Sequence, residues 1–114
     1  MEQEKAIRAL AALAQETRLQ VFKALVRAHA PESGKGGLAA GALAEAMGVA
    51  QPTLSFHLKE LSHAGLIEAR RDGRSIIYKA DLGAMSGLMQ HLLEDCCGGA
   101  CGTVQDLVQE KECV

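Results

Sequence analysis

Residues 51–81 read QPTLSFHLKELSHAGLIEARRDGRSIIYKAD. Leu54, Leu58 and Leu61 recur at i, i+4 and i+7, the spacing of one apolar helix face. Pro52 stands where a helix begins, because a first-turn residue has no intrahelical partner for an N–H. The helix it opens is expected to run to about Ala64 and to end at Gly65. Just upstream, residues 38–47 predict a shorter helix with Leu38, Ala42, Leu43 and Met47 apolar. Gly48 closes it in a tight turn. Downstream, Asp72-Gly73 signals a two-residue hairpin turn. Ile67 and Ala69 lie on one arm, Ile76 and Tyr78 on the other. Helix, glycine turn, helix and then a hairpin is the order of a winged helix-turn-helix. The expected fold class is therefore mainly α with a β-hairpin wing, α+β.

The rest of the chain fits around that unit. Residues 2–14 place Ile7, Leu10, Leu13 and Ala14 at helical spacing. Residues 17–30 predict a second helix with Leu19, Phe22, Leu25 and Val26 facing inward. PESGKGG, at 31–37, is a Pro- and Gly-rich loop. It lacks the Gly-x4-Gly-Lys-Ser/Thr spacing and the preceding strand of a phosphate loop. Residues 82–94 predict a last helix striped by Leu82, Met85, Leu88, Met89 and Leu92. At 114 residues, with 48% apolar but only 3% aromatic side chains, the core is thin, and a partner subunit is expected to cover that stripe. Two regions are delimited: 1–94 for DNA binding and dimerisation, and 95–114 as a cysteine-rich C-terminal sensor segment and tail.

The helix opened by Pro52 carries the DNA-binding signal. Opposite its leucine face lie Thr53, Phe56, Lys59, Glu60 and His63, with Gln51 and Ser55 near its start. A Phe turned from the core needs a cover: a thymine methyl in the major groove, or the underside of the wing. His57 flanks the leucine stripe and reads as a hydrogen-bonded, half-buried side chain rather than a metal ligand; His63 reads as solvated. The formal net charge is −2, yet the basic residues gather on the wing: Arg70, Arg71, Arg74 and Lys79 against Glu68 and Asp72. With Lys59 they form a phosphate-binding footprint on an otherwise acidic chain. Gln51, Thr53, Ser55, Phe56, Lys59, Arg70, Arg71 and Arg74 are the candidate contacts to double-stranded DNA.

These motifs closely resemble the ArsR/SmtB repressors. In that family the recognition segment reads Ser-Gln-Pro, then Ser-x-His-Leu, then Leu-x-x-x-Gly-Leu-[Val/Ile] into an Arg-rich wing. ETRLQVFKAL, at 16–25, resembles the family's second helix, and the resemblance spans about residues 4–94. It implies a homodimer built on the first and last helices, repressing its own operon and sensing a metal, a metalloid or a redox signal. Ala50 departs from the usual Ser, which weakens the cap of the recognition helix by about 1 kcal/mol. The family's arsenic site before the recognition helix is missing, with Ala39, Gly41 and Ala44 in its places. Its zinc site on the last helix is broken at Gly83 and Glu94.

Four cysteines, Cys96, Cys97, Cys101 and Cys113, all lie in the last fifth of the chain. A disulfide framework would spread them out, and the charged N-terminus has no signal-peptide core, so a cytoplasmic, reducing location is expected. Thiolates select soft acceptors. Cys96, Cys97 and Cys101 lie within six residues around Gly98 and Gly99, a set suited to three-thiolate capture of As(III) or Sb(III) as inducer. A subgroup of arsenic-responsive family members, which this segment resembles, places its cysteines similarly. Inorganic arsenite and a methylated arsenical, which needs two thiolates, both remain open. So do a soft divalent metal, for which Cys113 could supply a fourth ligand, and a thiol-redox switch. The last is disfavoured because Cys96 and Cys97 follow a helix C-terminus beside Glu94 and Asp95. No permanent cofactor, no membrane segment and no enzymatic constellation is legible: neither an anion cradle nor a Cys-x-x-Cys at a helix start is present.

Overall fold

Five helices and three strands follow the order α1 (Gln3–Leu13), α2 (Glu16–Arg27), β1 (Leu38–Ala39), α3 (Ala40–Met47), α4 (Gln51–His63), β2 (Ile67–Asp72), β3 (Ser75–Ala80) and α5 (Leu82–Leu92). They come from a computed structural model that describes residues 1–30 and 36–94. The loop residues 31–35, all four cysteines and the proposed 95–114 segment lie outside the described residues.

The helix-turn-helix is α3, the Gly48 turn and α4. Gly48 takes a left-handed φ of 68°. There the Val49 N–H reaches back to the Ala44 carbonyl at 3.1 Å and the Gly48 N–H to Glu45 at 3.2 Å, satisfying two carbonyls that the end of α3 would otherwise leave open. The same closure ends α4, where the Leu66 N–H donates to the Leu61 carbonyl. At the other end of α4 Pro52 sits in the first turn, and Ala50 offers no side-chain cap. Ala50→Ser therefore supplies a missing acceptor, and stability is expected to rise by about 1 kcal/mol. For a domain of this size that is a Tm gain of about 4–8 °C, read by thermal denaturation; an unchanged Tm would mean that the first-turn N–H groups are already satisfied.

Leu54, Leu58 and Leu61 are fully buried, as the spacing predicts. They meet Val21, Phe22 and Leu25 of α2 and Leu43 of α3 in one core. The outer helices turn much of their apolar surface away from this core, as expected for the stripe of α5. In α1 the buried residues are Ala6, Ala9 and Ala12, while Ile7 is 58% exposed and Leu10 is exposed too. Alanines carry no bulk beyond Cβ, so they are the face on which α1 can approach its neighbours closely, and the larger side chains turn out. In α2 Leu19 and Val26, expected inward, are exposed; Phe22 and Leu25 supply the core face. In α5 only Leu88 of the stripe is buried, Met85 packs partly against the core, and Leu82, Met89 and Leu92 stay exposed.

The sheet has the order β1-β3-β2 and is antiparallel throughout. Residues 38–39, read from sequence as the start of a helix, instead pair with Tyr78 and Ile77. Gly37 permits this: a Cβ there would stand 2.6 Å from the Tyr78 carbonyl oxygen. The wing turn is also shifted. Asp72 pairs with Ser75, so Gly73-Arg74 forms the turn rather than Asp72-Gly73, with glycine taking the left-handed first position at φ 63°. A turn moved by one residue moves each strand partner by two. Side chains therefore keep their faces, and Ile67 pairs with Ala80 and Ala69 with Tyr78.

Candidate nucleic-acid interface

Locking three leucines of α4 into the core fixes the rotation of the helix and so decides what it presents. Gln51, Thr53, Ser55, Phe56 and Lys59 are all exposed. Phe56 is 53% exposed, which removes the alternative that the wing covers it. No acidic residue occupies the first turn of α4, so its positive dipole end is not offset locally. A face with a hydroxyl, an amide, an apolar ring and a lysine near a helix N-terminus has the functional groups needed at base edges and phosphates.

The wing arginines divide. Alternation along β2 sends Arg70 and Arg71 to opposite faces. Arg71 and the turn residue Arg74 are exposed. Arg70 is half-buried, and its Nη1 donates to the Gly36 carbonyl at 3.1 Å, tying the wing to the start of β1. Lys79 sits 3.3 Å from Glu68 across the hairpin and is partly offset. Of the basic wing residues noted in the sequence, Arg71 and Arg74 are thus the two left without a protein partner among the described residues.

His57 is 8% exposed and, as its position flanking the leucines implied, hydrogen-bonded. Its Nδ1 accepts from Nε of Arg18 on α2 at 3.1 Å, which puts the ring proton on Nε2. Burial and, less strongly, the Arg18 charge hold its pKa below the usual histidine value, so the neutral ring is favoured. The same Arg18 guanidinium carbon lies 5.5 Å from the centroid of the Phe56 ring. Arg18 was not among the residues singled out from the sequence. The one available hint was indirect: a histidine beside the leucine stripe must find a polar partner from another element.

Among the described residues no group of three or more His, Cys, Asp or Glu side chains could hold a metal ion. Cys96, Cys97 and Cys101 lie outside the described residues. No helix among the described residues is long and apolar enough to cross a membrane.

A family model described as a helix-turn-helix domain matches residues 13–70, which hold α2 to α4 and most of β2. The chain is also 31% identical over 105 residues to the nodulation protein NolR of Rhizobium meliloti, covering 92% of this chain and 75% of the relative. The chain belongs to the helix-turn-helix domain family. Its fold is similar to the homodimeric winged helix-turn-helix DNA-binding domain Mb0332 of Mycobacterium bovis, described as a possible ArsR-family regulator. The TM-score is 0.61 at 30% identity, over 81% of each chain. It is similar also to an ArsR-like transcriptional regulator of Rhodococcus sp. RHA1, with a TM-score of 0.67 at 27% identity over 78% of this chain and 76% of the other. These relatives are regulators, not enzymes. Within the helix-turn-helix family the chain is thus a DNA-binding transcriptional regulator of the ArsR type.

Proposed function

We propose that this ArsR-type regulator is a dimeric cytoplasmic repressor whose operator complex is broken when Cys96, Cys97 and Cys101 capture trivalent arsenic. The observation that carries the DNA half is the outer face of α4: Thr53, Ser55 and a 53%-exposed Phe56 stand away from a core that holds the helix by Leu54, Leu58 and Leu61. In a dimer the two copies of α4 enter successive major grooves about one helical turn, roughly 34 Å, apart. Thr53, Ser55 and Phe56 then read bases, Gln51 and Lys59 flank them, and Arg71 and Arg74 hold phosphates, with Arg70 anchoring the wing.

Dimerisation is supported by an uncovered apolar surface. Ile7 and Leu10 of α1 and Leu82, Met89 and Leu92 of α5 are exposed. The two helices touch, with His91 Nε2 3.0 Å from Gln3 Oε1. An apolar surface spread over two adjoining helices is what a second copy would bury. The sensor half is supported by chemistry alone: three soft thiols within six residues, directly after α5. Drawing them around one ion at the end of the dimer helix would change the α1–α5 packing and so the spacing of the two α4 helices. A coupling of about 1–3 kcal/mol lowers DNA affinity roughly 5- to 150-fold. Antimonite shares the ligand chemistry and is expected to act alike.

The DNA assignment is tested by Arg71→Ala. Its affinity for operator and scrambled duplex should fall alike, and the slope of log K against log salt should flatten by about 0.9 for the lost phosphate contact. A changed base preference with the slope intact would remove the wing from the phosphate-binding role.

A further inference from the structure

Phe56 and His57 are neighbours on α4, so their side chains leave the helix about 100° apart. One points into the core and the other into solvent. A single side chain from α2 nevertheless engages both. Arg18 donates through Nε to Nδ1 of His57 at 3.1 Å, and its guanidinium carbon stands 5.5 Å from the Phe56 centroid. The two rings meet edge to face, 5.7 Å apart at 64°. A planar guanidinium can do this because its in-plane N–H groups and its charged face are separate recognition surfaces. His57 anchors the plane, and the plane braces the ring.

We propose that Arg18 is a positioning residue for operator discrimination: anchored on the buried His57, it holds the exposed Phe56 ring in the orientation that reads the major groove. This rests on the reading of α4 as the recognition helix. An unbraced Phe on an open helix face samples several χ1 and χ2 states, and binding DNA would have to freeze them. Bracing the ring beforehand removes that cost for the correct base step and leaves sequence-independent binding untouched. Arg18 thereby acts on the ratio of specific to non-specific affinity, although it reads no base itself.

The test is the ratio of affinities for an operator selected from random duplexes and for a scrambled duplex of equal length. Phe56→Ala is expected to lower it about tenfold, within the range of one lost base contact. Arg18→Ala should lower it about fivefold with little change on the scrambled duplex. The Arg18→Ala/Phe56→Ala double variant should be no worse than Phe56→Ala, because Arg18 acts through the ring. His57→Asn, whose Oδ1 takes the place of Nδ1, should keep the ratio, whereas His57→Leu should lose it as Arg18→Ala does. Arg18→Lys, which keeps the charge but not the planar fork, should fail to rescue, and it serves as the folded variant should Arg18→Ala not fold. Equal losses on both duplexes with a flattened salt slope would make Arg18 a phosphate contact and overturn the proposal. Additive losses in the double variant would overturn it as well. If Phe56→Ala lowers the ratio and neither Arg18 variant does, the proposal fails and α4 keeps its reading role. If Phe56→Ala leaves the ratio unchanged, the reading of α4 fails with it.

Discussion

Leu58→Ala should unfold this protein about 8–40 °C earlier than the parent chain. Leu58 is 1% exposed, between Leu54 and Leu61 on the one face of α4 that enters the core. Removing a buried leucine to Cβ costs about 2–5 kcal/mol, the transfer term plus the cavity it leaves. A domain of this size has about 5–15 kcal/mol in total, and each 1 kcal/mol moves Tm by about 4–8 °C. Ile76→Ala, on an exposed wing position, should cost about 1 kcal/mol or less and provides the contrast. Thermal denaturation followed by far-UV circular dichroism reads both. A Leu58→Ala protein as stable as the parent would place a different face of α4 inward, and with it a different set of residues toward DNA.

Cys96→Ser, Cys97→Ser and Cys101→Ser should each bind operator normally and each lose release by arsenite. Operator binding is preserved because Gln51, Thr53, Ser55, Phe56 and the wing arginines are far from the cysteines in sequence and belong to other elements. Release is lost because a serine hydroxyl is a hard, weakly acidic ligand that does not replace a soft thiolate. The expected size is the whole coupling, a roughly 5- to 150-fold drop in affinity that no longer occurs. Cys113→Ser should release nearly as the parent does, since Cys113 lies outside the three-thiol cluster. For a methylated arsenical, which needs two thiolates, one of the three variants can retain release. Fluorescence anisotropy of labelled operator measures all of this. A Cys96→Ser/Cys97→Ser protein that still released with arsenite would move the sensor elsewhere and leave the DNA-binding face as it is.

The centre of the fold was legible because it is written in strong local signals. Leu54, Leu58 and Leu61 mark one face, Gly48 a left-handed stop and Pro52 a start, and these agree with one another. The outer helices were harder for a physical reason. α1 and α5 each carry more apolar positions than one core can use, and periodicity does not say which face meets the chain's own core. Ile7 and Leu10, the larger side chains at helical spacing, are exposed, while the small Ala6, Ala9 and Ala12 are buried. β1 is two residues long, too short to show alternation, and it exists because Gly37 lets the chain approach Tyr78. The hairpin turn moved by one residue because both Asp72-Gly73 and Gly73-Arg74 contain a glycine that can take positive φ. Within the site, the exposed face of α4 was readable from the wheel. The capture of Arg70 by Gly36 and the bridge from Arg18 to His57 and Phe56 were not, since both join residues more than 30 positions apart and leave no local pattern.

The most direct measurement is release of a labelled operator duplex from the reduced, unmodified protein, titrated in parallel with arsenite, antimonite, zinc, cadmium, lead and peroxide. Arsenite and antimonite should each release the duplex at near-stoichiometric concentration, and peroxide should not. Release by zinc, lead or peroxide with none by arsenite would contradict the assignment of Cys96, Cys97 and Cys101 as a trivalent-arsenic sensor.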